Sequence, residues 1–98
     1  MTGRFVLSPR AEIDLDEIWD YTAERWGLEQ AETYTRAIWE RIKAISRRPA
    51  MGQDASDIRA NYYKVPCGSH FLFYRLITEG VDVVRILHER MDYDSHLP

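Results

Sequence analysis

Gly68-Ser69-His70-Phe71-Leu72-Phe73-Tyr74-Arg75-Leu76-Ile77-Thr78-Glu79-Gly80-Val81-Asp82-Val83-Val84-Arg85-Ile86-Leu87-His88 is the stretch that decides the fold. Two runs rich in aromatic and β-branched residues flank a Thr78-Glu79-Gly80 break, which predicts two antiparallel strands joined by a hairpin. With Gly80 in the left-handed position of a three-residue loop, Ile77 pairs with Val81, Arg75 with Val83, Phe73 with Arg85 and Phe71 with Leu87. Side chains alternate along a strand, so Phe71, Phe73, Arg75 and Arg85 share one face, and Leu72, Tyr74, Val84, Ile86 and His88 the other. Burying two unpaired arginines costs several kcal/mol. The second set is therefore expected to meet the core, leaving the phenylalanine and arginine face open. A two-residue Glu79-Gly80 turn is the alternative; it shifts the register by one and turns Arg85 toward the core. Upstream, Ile58-Arg59 and Tyr62-Tyr63-Lys64-Val65 supply a third strand, completing an antiparallel meander.

Outward from the meander the pattern changes to a helical period. Phe5-Val6-Leu7 suits a strand that stops at Ser8-Pro9, where Ser8 caps a helix and Pro9 takes its first position. Ala11, Leu15, Ile18, Thr22 and Trp26 recur at three-and-four spacing as a buried stripe, flanked by Trp19 and Tyr21, and Gly27 ends the helix. A second stripe of Ala31, Tyr34, Ile38, Ile42 and Ile45 must stop before Pro49. So short a link folds the helices into an antiparallel hairpin. That hairpin brings the acidic start of the first helix (Glu12, Asp14, Asp16, Glu17, Asp20) beside the basic end of the second (Arg41, Lys43, Arg47, Arg48). Pro49 to Asp54 reads as a loop, and the polar tail after His88 as a short turn or helix. The fold class is α+β: an N-terminal strand, an antiparallel helix hairpin and a three-stranded antiparallel meander, in one domain over residues 1–98.

Composition narrows the chemistry. A net charge of -3 disfavours a general nucleic-acid binder, because such affinity rests on clustered Lys and Arg. The lone Cys67 forms no internal disulfide and suits a reducing cytoplasm; neither a signal peptide nor a membrane span is expected. Cys67, His70, His88 and His96 lack the spacing of a zinc motif, and nothing resembles a nucleophile elbow or a phosphate loop. No metal, cofactor or catalytic set is expected. Trp39 sits beside Ile38 of the buried stripe, so it is expected outside the core as a contact point. Arg75, Arg85 and Arg90 near an aromatic sheet face suit an acidic or amphipathic protein segment.

The order of these elements, with Ser8-Pro9-Arg10-Ala11-Glu12, Asp16-Glu17-Ile18-Trp19, Trp26-Gly27, Pro49 and Gly52, Ile58-Arg59, Phe73-Tyr74-Arg75 and Val84-Arg85-Ile86-Leu87-His88-Glu89-Arg90, resembles the RelE/ParE toxin superfamily over almost the whole chain, most closely its ParE branch. The resemblance implies a bacterial type II toxin-antitoxin system, whose toxin is held inactive by a ParD-like antitoxin with a tail that orders as it wraps. ParE-like members inhibit DNA gyrase by trapping it on cleaved DNA, without direct nucleic-acid binding, whereas RelE-like members cut mRNA on the ribosome. Ribonuclease members carry an arginine three positions before the tyrosine matching Tyr74, where this chain has Phe71, which offers no charge to a phosphate under attack. Arg90 does match a late basic position of the ribonuclease pattern. A gyrase-directed toxin is therefore the expectation, and an mRNA-cutting toxin or a non-toxic binding module are the alternatives. The antitoxin is expected on Phe71, Phe73, Arg75 and Arg85 and on the helix grooves near Trp19, Tyr21 and Trp39, and toxicity is expected from the segment of His88, Arg90, Met91, Asp92 and Tyr93.

Overall fold

A computed structural model describes residues 3–98; Met1 and Thr2, the first residues of the single domain expected over 1–98, lie outside the described residues. Strand β1 (Arg4–Leu7) leads into helices α1 (Pro9–Trp26) and α2 (Leu28–Arg47). A 3-10 turn (Pro49–Met51) precedes β2 (Gln53–Asp54), β3 (Tyr63–Cys67), β4 (His70–Ile77) and β5 (Gly80–His88), and a last short helix α3 spans Tyr93–His96.

The helix boundaries follow from local chemistry. Ser8 Oγ accepts from Ala11 N at 3.0 Å and donates to the Val84 carbonyl at 2.7 Å, so the cap also ties α1 to β5. Gly27, at φ 97, ends α1 and starts α2, a conformation open to glycine without strain. The buried positions of α1 are Ala11, Asp14, Ile18 and Thr22; Leu15 is only half-buried, and Trp26, expected in the stripe, is 67% exposed at the hairpin tip. In α2 Ala31, Thr35, Ile38, Ile42 and Ile45 are buried. Among the described residues no ion pair joins the two helices; Arg10 reaches toward Asp14 and Glu17 within α1, and Lys43 pairs with Glu40 within α2. The expected opposition of acidic and basic helix ends therefore yields no direct bridge, which suits long exposed side chains that gain little from pairing.

The sheet has five strands in the order β1-β5-β4-β3-β2. The expected meander is its antiparallel part, except that Ile58 and Arg59 lie in the turn before β3 and not in a strand, with the added β2, where a loop was expected, at one edge. At the other edge β1 runs parallel to β5 over Gly80–Val83. A Cβ at Gly80 would stand 1.8 Å from the Arg4 carbonyl oxygen, so only glycine lets β1 close on β5.

The β4–β5 register is neither of the two expected from sequence. Ile77 pairs with Gly80 across a two-residue Thr78-Glu79 turn with Glu79 at φ 68, so Arg75 faces Asp82 and not Val83. A bulge at Val84 then restores the expected pairing of Phe73 with Arg85 and Phe71 with Leu87. The helix side of the sheet consequently presents Leu72, Tyr74, Val81, Val83 and Ile86, packed with Ile38, Ile42 and Ile45. Val84, expected on that side, moves to the opposite one.

That opposite face is not open. Phe73, Val84 and Leu87 form a second core with Ala55, Tyr62 and Leu97, and Ile58, Phe71, Met91 and Tyr93 pack on it. The loop after β2 and the C-terminal segment cover the surface from which a docking face was expected. Phe73 is 0% and Arg85 only 6% exposed. Among the described residues no helix is long and apolar enough to cross a membrane.

Candidate functional site

Arg85 is buried because it is paired with Asp14. β1 flanks only the first half of β5, so the edge beyond Val83 is uncovered by a strand, and α1 supplies Asp14 there. Asp14 Oδ2 accepts from Arg85 Nε at 2.7 Å and from the Ile86 backbone N–H at 2.9 Å; Oδ1 accepts from Arg85 Nη2 at 2.9 Å. Arg85 Nη1 donates to the His96 carbonyl at 2.6 Å, which completes a link from α1 through the strand edge to the tail. Both oxygens of the carboxylate have hydrogen-bond partners within the chain, the condition under which a buried pair is tolerated. The signal available in the sequence was Asp14, placed between Ala11 and Ile18 on the inward stripe, facing an arginine set in an apolar run.

A second arginine fastens the tail. Arg59 Nη2 donates to the Asp94 carbonyl at 2.7 Å and to that of Leu97 at 3.4 Å, and its Nη1 bonds the Asp94 carboxylate. Tyr93 packs against Phe73 and Phe71 with ring centroids 5.0 and 6.0 Å apart, while its hydroxyl donates to the Glu89 carbonyl. The Lys64 ammonium lies 5.0 Å from the Phe71 ring centre and 5.7 Å from that of Tyr93. The expected toxicity segment thus divides by exposure. Arg90 and Asp92 are exposed, whereas His88, Met91 and Tyr93 are half-buried and help to close the sheet face.

The residues expected to receive an antitoxin do not converge. Phe73 and Arg85 are buried and Phe71 is half-buried under the tail, so these three are corrected as anchors on an open face. Arg75 is exposed but held by Asp82 through Nε at 3.2 Å and Nη2 at 3.1 Å. Trp19 is half-buried. Tyr21, 61% exposed, borders a groove with Trp26, Tyr34, His70 and His88, whereas Trp39 packs on Phe5, ring centres 6.1 Å apart, beside a different one.

The groove at Tyr21 has a polar floor. The Tyr34 hydroxyl accepts from the Ser69 N–H at 2.9 Å and shares a 2.7 Å hydrogen bond with His70 Nδ1, while the His70 and His88 rings meet edge to face at 5.3 Å. Burial, reinforced by the neighbouring His88, lowers the His70 pKa from 6.5 to about 4, against the smaller opposing pull of Asp14 and Glu89. The unfolded chain then binds the extra proton between these values. This contribution to stability is fully present above pH 6.5 and is lost as pH falls toward about 4. The unfolding free energy from urea denaturation should drop between pH 7 and pH 5 by no more than about 2 kcal/mol, and His70→Gln should show a smaller drop.

Comparison with known proteins places this architecture in a family. The model of the ParE toxin of the type II toxin-antitoxin system, parDE, matches residues 5–93. Toxin ParE1 of Mycobacterium tuberculosis (strain ATCC 25618 / H37Rv) is 48% identical over 98 residues, covering 99% of this chain and 100% of that protein. Toxin ParE1 of Caulobacter vibrioides is 44% identical over 93% of this chain and 94% of its own length. In solved structures, a chain from the "Chromosomal ParDE TA system from P. aeruginosa" superposes with a TM-score of 0.77 at 18% identity, covering 89% of this chain and 96% of that one, which bears on the fold alone. The chain belongs to the ParE toxin family of type II toxin-antitoxin systems.

Proposed function

We propose that the chain, as a single toxin domain over residues 1–98, acts in the cytoplasm by binding and inhibiting DNA gyrase, without catalysis of its own, and is neutralised by a ParD-like antitoxin. Position 71 carries the reading. Where the ribonuclease pattern calls for an arginine, the Phe71 ring packs near Tyr93 and Phe73, beneath the Lys64 ammonium. Position 71 therefore supplies no guanidinium to a phosphate under attack, the group that the ribonuclease pattern places there. The apolar side chains left exposed, among them Tyr21, Trp26, Leu28 and Trp39, suit a protein that works through contacts.

Expression of the chain alone should arrest growth with filamentation and a DNA-damage response, and co-expression of the product of the neighbouring gene should relieve it. Harmless expression would contradict the reading. Arg90→Ala gives the cleanest test of the toxicity segment. Its side chain is exposed and makes no hydrogen bond or ion pair among the described residues, so stability should change by no more than about 0.5 kcal/mol while toxicity is lost.

A further inference from the structure

We infer that Arg59 is a positioning residue for gyrase inhibition: by holding the carbonyl end of α3 it fixes the turn that presents Arg90 and Asp92, which rests on the proposed function placing target contacts there. Arg59 itself is rigidly mounted, in a closed loop between β2 and β3. The Ala55 N–H donates to the Tyr62 carbonyl at 2.8 Å, and the Ala55 carbonyl accepts from the Ile58 and Arg59 N–H groups at 2.9 and 3.2 Å. Ala55 and Tyr62 are buried in the second core, so the backbone that carries Arg59 is anchored. The same loop aims the guanidinium, because Nη1 also donates to the Ile58 carbonyl at 2.8 Å.

What the guanidinium grips cannot stand alone. α3 has 4 residues, far short of the roughly 12–15 that an isolated helix needs in water. The Leu97 N–H closes it on the Tyr93 carbonyl at 3.0 Å, and the carbonyls of Asp94 and Leu97 at its open end are taken up by Arg59 Nη2. The ion pair is the lesser part of the grip, since the Asp94 side chain is 76% exposed. Burial of Leu97 keeps the tail on the sheet, and Arg59 sets its conformation. That conformation reaches the turn ahead of it. The Glu89 N–H donates to the Ser69 carbonyl at 2.8 Å, and the hydroxyl of Tyr93, the first residue of α3, donates to the Glu89 carbonyl at 2.7 Å. Between these ties Arg90 and Asp92 stand exposed. A frayed α3 loosens the Tyr93 tie, and a partner must then order the turn at a cost in affinity.

The test compares the full chain with Arg59→Ala, Arg59→Lys and Asp94→Ala in gyrase supercoiling, with amide NMR and urea unfolding alongside. Arg59→Ala should need about ten-fold more protein for half-inhibition, while the amides from Arg90 to Leu97 become mobile and those of β4 and β5 keep their shifts. Arg59→Lys, a point charge in place of a fork, should fall between. Asp94→Ala should stay within about three-fold of the full chain, because the carbonyl bonds remain. A purely structural Arg59 would weaken inhibition only in step with the folded fraction and leave the Arg90 amide rigid; that result, or inhibition by Arg59→Ala equal to that of the full chain, would overturn this inference alone. A full chain inert toward gyrase would overturn the proposed function, and this inference with it. Should Arg59→Ala fail to fold, Arg59→Lys carries the same test.

Discussion

Asp14→Ala is expected to destabilise the chain by about 3–5 kcal/mol, because it leaves the Arg85 guanidinium buried without its counter-charge. The same change orphans the Ile86 N–H, whose acceptor is the Asp14 carboxylate. Domains of this size hold only about 5–15 kcal/mol in all, so the variant should be marginal at 37 °C. The physical claim is that the cost lies in the unpaired ion and not in the loss of the pair as such. Asp14→Ala combined with Arg85→Met should therefore recover most of the loss, a coupling visible in a urea-denaturation cycle. If the double variant is as unstable as the sum of the singles, the pair is not the source of the effect.

Removal of residues 93–98 is the second large effect. It strips Tyr93 and Leu97 from Phe73, Val84 and Leu87, and takes the His96 carbonyl from Arg85. Burial of one leucine contributes about 1.5–3 kcal/mol, and the lost aromatic contacts and hydrogen bonds add to it, so a total of about 3–5 kcal/mol is expected. The shortened chain should show an earlier urea midpoint and bind a hydrophobic dye at its uncovered sheet face. An unchanged midpoint would mean that the segment contributes no cover. The result also governs how toxicity is mapped. A truncation after Leu87 removes Met91, Tyr93 and Leu97 from the second core, so its inactivity would report lost packing as readily as a lost target contact.

What was legible in the sequence was local. Ser8, Pro9, Gly27 and Pro49 mark helix ends through backbone chemistry that acts within a few residues, and the α2 stripe follows from period alone. The hairpin register was not legible near its turn, because a two-residue turn followed by a bulge and a three-residue turn without one give the same pairing at Phe73 and Phe71. They differ from Tyr74 to the turn, where Ile77 meets Gly80, Arg75 meets Asp82, and Val84 is left in the bulge. The covered face was missed for a different reason. A tail of mostly polar residues carries just Met91, Tyr93 and Leu97 to close a sheet, and its docking depends on Arg59 and Arg85, distant in sequence. An arginine without a partner belongs on an open surface; Asp14, 71 positions away, supplies Arg85 with the partner that lets it be buried.

The claim that this toxin acts by binding gyrase is tested most directly by presenting the purified chain with gyrase on relaxed plasmid and, in parallel, with ribosomes translating a defined message. Loss of supercoiling with accumulation of cleaved DNA, and intact message, is the expected result. Undisturbed supercoiling together with message cut at the ribosome would contradict it.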